Sequence, residues 1–592
     1  MRRVSPSPLR VDCHSHVFNA EDLPIDGFVK QLSSFPSILT GIVSVPLDRL
    51  SQWVASSSHD EAAYLASLLV PREVLAADTV APPPVRGSDL ISDEELAELF
   101  LQEWQRRGLV GDTTIEAAFD PTLDPETVLP DGATTPEAAQ AGTELDLWLM
   151  SQGDAELSET MAMDLLPDWD WIRRMREAKQ AVGRYVDALR LITRDRHLVA
   201  ADLAATYPSV SLFVPALVDF EYTASDAPSS SVTDQIRVHS LLSKVSVVGK
   251  VPGASQLRIH PMVGYCPYRE VARSELRDWK PSQGGTNGYI PYADPGQASP
   301  EDRYRDGIDY VPERARPLRI PNGSWETGHV SLDQQARSLD IVRHAVELGG
   351  FVGVKLYPPA GYLPLGNSQE FGSDKGSRLD AALQSLYAYC ARMDVPILAH
   401  AGHSNGFEDS YKEFAGPAGW RAVLEKFPDL RICFGHFGHL YEVGKNPSKP
   451  ASKSWASGFV ALMDEHPHVY ADVGNSKFPV EESYREKYLE LLGWVLGGNN
   501  PSETQRKRRR RVMFGTDYWM NTLAPNHQTY LSVFDDQYRQ AFGTQARDDF
   551  LGRNALRWLG LVDEDGEPDP KNANRQRLLD FYGTRPLPSW LA

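Results

Sequence analysis

Short apolar runs rich in β-branched residues recur along this chain with helix-like stretches between many of them, and that alternation constrains the fold more than any other feature. Read from the sequence, the runs are β1 at residues 9–18, β2 at 210–220, β3 at 256–265, β4 at 351–357, β5 at 396–401, β6 at 431–436, β7 at 469–473 and β8 at 511–517. Segments such as VSLFVPALVDF, FVGVKLY and PILAHA are of this kind. Residues 335–348 and 378–393 carry apolar positions at helical spacing and fall where the crossovers before β4 and β5 belong. Strands separated by helices require a parallel sheet covered on both faces, and about eight such units close on themselves. The expected fold is therefore an α/β structure, a (β/α)8 TIM barrel.

The spacing of the runs is uneven. Roughly 190 residues separate β1 from β2, far more than one crossover needs. Helical candidates at 59–69, 92–107 and 169–194 in that stretch, around a Pro/Thr/Asp/Gly-rich segment near 119–141, predict a mostly helical insertion. A second, loop-rich insertion follows β3. Both leave a strand's C-terminal end, where barrels build their substrate loops. The organisation expected is β1 in 1–19, a helical cap in 20–207, β2 and β3 in 208–270, a loop-rich insertion in 271–330, β4 to β8 in 331–561, and a tail in 562–592 packing on the barrel.

The 592 residues are 42% hydrophobic, which suffices for a large core and excludes global disorder. A net charge of −20 argues against a general nucleic-acid binder. The basic run RKRRRR at Arg506–Arg511 lies before β8, away from the strands' C-terminal ends, and is expected to be a solvated loop. Cys13, Cys266, Cys390 and Cys433 are far apart and show no disulfide or zinc-ligand spacing. No apolar run reaches the roughly 18 residues of a membrane span, and none follows the basic start of the chain. A cytoplasmic protein acting on a small molecule, with no nucleic-acid or membrane partner, is the expectation.

Chemistry-bearing residues gather at the strand ends. His14 and His16 form an HxH on β1, where period-two alternation puts Asp12, His14 and His16 on one face. Among 15 histidines one such pair arises readily by accident, and His466 and His468 form another, before β7 and so at the opposite end of the barrel. The ordered set carries the signal: His400 ends β5, His436 ends β6, and Asp517 ends β8. Imidazole nitrogens with a carboxylate suit a zinc-like divalent ion and leave a position for water.

The succession VDCHSH, GVKLYPPAG, ILAHAG, CFGHFGH, FGTD and GRNALRWLGL resembles the amidohydrolase-related branch of the amidohydrolase superfamily, which includes aminocarboxymuconate-semialdehyde decarboxylase and metal-dependent hydrolases. The resemblance spans β1 and the stretch from β2 to about Leu561, without the helical insertion. It implies His14, His16, His400 and Asp517 as metal ligands, His436 as a residue acting on water or substrate, and Asn554 as structural. It also implies one Zn2+, with Mn2+ or Fe2+ as alternatives, and a homodimer. In the catalysis it implies, Asp517 takes a proton from the metal-activated water and His436 stabilises the developing oxyanion.

Lys355 admits three roles. In two-metal members a β4 lysine is carboxylated and bridges the ions; otherwise it is a cation for a substrate carboxylate, or an ion-pair partner. One ion is the reading preferred. His403, His439, Tyr265, Arg269, Asn475 and Trp519 lie near strand ends and are candidate substrate-binding residues, with Arg269 the natural partner for a carboxylate. The function expected is a metal-dependent hydrolase of an amide, lactone or ester. The alternatives are a non-oxidative decarboxylase of an aromatic or muconate-like acid and a catalytically inactive barrel serving as a binding module.

Overall fold

The computed structural model describes residues 9–23, 56–69, 191, 193–222, 228–269, 271, 338–402, 409–438, 454–476, 482–498, 500–523 and 527–592. Eight strands run in chain order: β1 Val11–Ser15, β2 Leu212–Pro215, β3 Met262–Gly264, β4 Gly353–Leu356, β5 Ile397–His400, β6 Ile432–Gly435, β7 Val469–Asp472 and β8 Val512–Met513. Every pairing between them is parallel, and each strand from β3 to β8 lies beside its sequence neighbour.

Single bridges complete the ring. Phe213 pairs with Ile259 and Ala216 with Met262 between β2 and β3. The Cys13 amide donates to the Phe514 carbonyl (3.2 Å), which joins β1 to β8. The fold is a (β/α)8 barrel.

Each strand is shorter than its apolar run. Pro261 has no N–H to donate and delays β3 until Met262. β8 is only two residues long, because the chain beyond it turns sharply at the left-handed residues Asp517 (φ 52°) and Trp519 (φ 78°). Between strands lie the expected crossover helices, Ser338–Leu348 before β4 and Lys375–Arg392 before β5. Gly350, at φ 77°, turns the chain from the first of these toward β4, a left-handed position after a helix end that suits glycine.

Of the first insertion, the helix Ser58–Leu69 is described; it packs on the helix Val232–Val247 and meets the loop after β1 through Arg196. Fully buried Arg196 donates to both oxygens of Asp22 (2.8 and 2.6 Å), to Glu61 (2.8 Å) and to Ser58 (2.9 Å). Buried charges of this kind persist because each is paired. The helical candidate at 92–107, most of 169–194 and nearly all of the second insertion lie outside the described residues.

The C-terminal segment closes the N-terminal end of the barrel. Trp558, Phe581, Tyr582 and Trp590 are buried in one cluster with Val11, Leu212 and Val352 at strand starts. Trp590 donates to the Ser211 carbonyl (3.2 Å) and Asn574 to that of Val352 (2.9 Å). Asn554 donates to the carbonyls of Arg509 and Val512, both at 2.7 Å, and so fixes the approach to β8.

The basic run is not a solvated loop. Its first four residues end the helix Glu503–Arg509, opened by a Ser502/Gln505 capping box, and Arg510 and Arg511 follow it. Arg508 and Arg509 donate to the carbonyls of Val495, Leu496, Gly497 and Gly498, at the end of the helix Glu482–Leu496. Arg511 does the same for Met463 and His466, at the end of the helix Trp455–Glu465. Cations at helix C-termini satisfy orphan carbonyls and the negative end of the dipole, which accounts for Arg508, Arg509 and Arg511. Among the described residues no helix is long and apolar enough to cross a membrane.

Candidate metal centre

At the C-terminal ends of the strands the side chains of His14, His16, His400, His436 and Asp517 meet. One carboxylate oxygen of Asp517 lies 3.0 Å from His16 Nε2 and 3.5 Å from His14 Nε2. His436 Nε2 lies 3.1 Å from His400 Nδ1, and the His14 and His436 rings are 4.9 Å apart. Ligating atoms of His14, His436 and Asp517 all fall within 4.8 Å of one another.

Outer partners orient the rings. His14 Nδ1 faces Asp472 (3.1 and 3.2 Å), His16 Nδ1 faces the Ala216 carbonyl (2.7 Å), and His436 Nδ1 faces the Gly474 carbonyl (2.9 Å). Donation from each Nδ1–H leaves the Nε2 lone pair turned inward, which is how protein scaffolds prepare imidazoles for a metal. Burial, then the charge of Lys355, holds the His14 imidazole below its usual pKa. Burial likewise lowers that of His436, so both rings are neutral near neutral pH. Burial opposes ionisation of Asp517, but the hydrogen bond from His16 and the surrounding imidazoles hold its carboxyl well below the usual range. Neutral nitrogens facing an ionised carboxylate fit a divalent cation.

Asp472 has no place in the sequence reading, yet it is the hub of the outer partners. Besides His14 it accepts from the Gly474 amide (2.8 Å) and the His436 amide (3.1 Å). Burial works against its charge, and these partners together with the imidazoles hold it below the ordinary carboxylate range. The only signal in the sequence is its place as the last residue of β7.

Asp12 is a second hinge of the site's geometry: it accepts from the amide (3.0 Å) and hydroxyl (2.6 Å) of Thr516 and locks β1 to the turn that presents Asp517. Burial pushes its carboxyl up to about 7 despite those bonds. The expected common face of Asp12, His14 and His16 does not survive. The β1–β2 register shifts between Asp12 and Ser15, so Asp12 turns to Thr516 while His14 and His16 reach Asp517.

Backbone strain concentrates here. Six described non-glycine residues have positive φ, and five of them sit at the ends of β6, β7 and β8: His436, Phe437, Asn475, Asp517 and Trp519. Such conformations cost about 1–3 kcal/mol each and persist where the surroundings over-determine them. Room for His14 is left by glycine: a Cβ on Gly515 would sit 2.8 Å from the His14 Cβ.

Lys355 projects from β4 into the same centre, where its buried ammonium donates to His14 Nε2 at 3.0 Å. Burial lowers its pKa while Asp517 and Asp472 oppose the shift.

Arg269 is not a free clamp for a substrate carboxylate. Its guanidinium donates to Asp219 (2.7 Å) and Glu221 (2.8 Å), and a buried arginine already matched by two carboxylates has no net charge to offer. Tyr265 is likewise a packing residue: 4% exposed, it donates to the Ala382 carbonyl in the helical layer (2.8 Å). Trp519 and Asn475 do lie at the mouth, beside Asp517; the Trp519 ring packs on Phe18 (5.3 Å) and the Asn475 amide donates to the Thr516 carbonyl (3.4 Å). His403 and His439 fall outside the described residues. His466 and His468 precede β7, at the far end of the barrel.

Residues 318–561 match the family model described as amidohydrolase. Over that stretch the chain is similar to the amidohydrolases. That match covers β4 to β8, and so contains Lys355, His400, His436, Asp472 and Asp517, while β1 with its HxH lies outside it and joins the site through the fold. No curated protein matches the chain. Among solved structures, an uncharacterised TIM-barrel protein from Bordetella bronchiseptica is 14% identical with a TM-score of 0.29, over 62% of this chain and 80% of that one. A dihydroorotase from Campylobacter jejuni is 13% identical with a TM-score of 0.29, over the same shares, 62% and 80%. The amidohydrolase family generally binds divalent metal, and this chain brings His14, from outside the match, together with His436 and Asp517 in a cluster that could hold one.

Proposed function

We propose that the chain is a metal-dependent hydrolase acting on an amide, lactone or ester bond of a small molecule. The observation that supports this reading is the convergence of His14, His16 and Asp517 on one point, with imidazole nitrogens turned inward by partners behind them. His14, His16, His400 and Asp517 would hold a single divalent ion of the zinc type. When bound, such an ion polarises a carbonyl and brings the pKa of water toward neutrality.

The chain's own groups supply the rest. Asp517 is ionised and can accept a proton at the carboxylate oxygen that faces His16, then return it to a leaving nitrogen or oxygen. His436, fixed by the Gly474 carbonyl, presents Nε2 toward the centre, where it can donate to a developing oxyanion once protonated there. Trp519 and Asn475, in strained backbone beside Asp517, would line the space for the substrate.

A second reading rests on Lys355. Its Nζ lies at the centre, 3.0 Å from His14, where a carboxylated lysine would bridge two ions. Metal analysis of the purified protein separates the two: about one equivalent per chain supports the single-ion reading, and two equivalents support the bridge.

The activity is tested on a panel of amides, lactones, esters and aromatic acids with the metal-loaded protein, following amine, alcohol or carboxylate release alongside carbon dioxide. Hydrolysis of at least one class is expected. Carbon dioxide release without hydrolysis would make the chain a decarboxylase, and metal-loaded protein inert on every class would favour a binding module.

A further inference from the structure

Away from the metal centre, two helices of the outer layer, Val232–Val247 and Ser338–Leu348, pack on one another, and the second also packs on β3 and on the helix Ala573–Tyr582. They carry Ser240, Lys244 and His344, exposed by 0%, 1% and 1%. Ser240 Oγ, Lys244 Nζ and both ring nitrogens of His344 have no hydrogen-bond partner among the described residues. Ser240 and Lys244 are four residues apart and so share one helix face.

The rest of that helix is satisfied. His239 faces the carbonyls of Gln235 (2.9 Å) and Val17 (2.8 Å) and donates its one N–H to one of them, Ser243 donates to the His239 carbonyl (3.0 Å), and Ser246 donates to the Ser243 carbonyl (2.8 Å). Among the described residues the unpartnered buried atoms of these two helices are those of Ser240, Lys244 and His344, together with Arg343 Nη1.

The surroundings of Lys244 and His344 are positive. The charge that acts on His344 is that of Lys244, and the charge that acts on Lys244 is that of Arg585. Among the described residues no carboxylate acts on either. Burial, then Arg585, pushes the Lys244 ammonium down to about 8, so it remains mainly cationic at neutral pH. Burial, then Lys244, pushes the His344 imidazole down to about 4, so it is neutral and carries one N–H.

Buried ammonium groups are normally paired, because hydrogen bonds alone do not replace the lost solvation of the charge. Water would satisfy the donors and leave that charge unopposed. An anion does both. All three residues are enclosed, so the occupant must be small.

We propose that a monovalent inorganic anion of halide size binds between these two helices, held by Lys244 Nζ, a ring N–H of His344 and the hydroxyl of Ser240. The site joins helices that flank the C-terminal tail, so its occupancy stabilises the fold and leaves the chemistry at the mouth untouched.

Bromide tests it on the metal-loaded full chain. Crystals soaked in sodium bromide should give an anomalous peak at the bromine edge within contact distance of Lys244 Nζ. The thermal midpoint should rise by about 1–3 °C over a hundredfold increase in bromide at constant ionic strength set by gluconate. Lys244→Met should abolish that rise. If Lys244→Met does not fold, Ser240→Ala should reduce it. Water density without anomalous signal, a direct Lys244–His344 bond with nothing between, or the same bromide dependence in the variant would each overturn the proposal.

Discussion

Replacing Asp472 by asparagine keeps the size of the side chain and removes one acceptor oxygen. In the native site one carboxylate oxygen receives the Gly474 amide (2.8 Å) and the His436 amide (3.1 Å), while both oxygens face His14 Nδ1 (3.2 and 3.1 Å). Asparagine that keeps the two amides retains only the longer of the contacts to His14 (3.2 Å) and loses the acceptor at the nearer one (3.1 Å). If its carbonyl keeps the two amides, its NH2 confronts the Nδ1–H of His14; if it turns to His14, two buried amides lose their partner. Either arrangement costs about 1–3 kcal/mol, or relieves the clash by switching the His14 tautomer so that the inward nitrogen carries the proton. The inward lone pair is the one a metal needs. Metal affinity should therefore fall about 10–100-fold, about 1.4–2.7 kcal/mol. A competition titration against a chelating dye measures the affinity directly, with circular dichroism to show that the fold is retained. An Asp472→Asn protein that folds and binds zinc within twofold of the native affinity would refute the argument that this carboxylate prepares His14.

Asp517→Asn should fold and lose turnover by orders of magnitude, since the amide cannot accept the proton; unchanged kcat would remove Asp517 from the chemistry. Arg269→Ala leaves Asp219 and Glu221 without their cation and should destabilise the protein by about 3–5 kcal/mol in denaturant titrations. A raised KM with unchanged stability would return Arg269 to substrate binding. Burial pushes the His260 imidazole down to about 4, where it bridges the Gly350 carbonyl and the Tyr582 hydroxyl. Below pH 6.5 the unfolded chain takes up a proton that the folded chain refuses, so stability falls with pH. Between pH 7 and pH 4 the native protein should lose on the order of 3 kcal/mol more than His260→Asn. Equal losses would show that this histidine does not drive the slope.

The positions of all eight strands were legible because apolar β-branched runs mark buried parallel strands, and the helices Ser338–Leu348 and Lys375–Arg392 because their apolar spacing is helical. Strand ends were not. β8 stops at Met513 because Asp517 and Trp519 adopt left-handed backbone, and neither residue type announces that in a sequence. The convergence of His14, His16, His400, His436 and Asp517 followed from their places at strand ends. Asp472 did not, since an aspartate closing a strand looks like any other until its three donors are in view. Arg269 misled for a related reason: its partners Asp219 and Glu221 lie some fifty residues earlier, and only the adjacency of β2 and β3 brings them together. Arg508, Arg509 and Arg511 are explained by helix ends that local sequence cannot locate in space.

The central claim is that side chains from β1, β5, β6 and β8 form one cation site at the barrel mouth. Diffraction from zinc-loaded crystals, collected on both sides of the zinc absorption edge, tests it most directly. The account predicts an anomalous peak at about 2.0–2.2 Å from nitrogens of His14 and His16 and from an oxygen of Asp517. Zinc bound elsewhere, with these residues left as they stand, would contradict it.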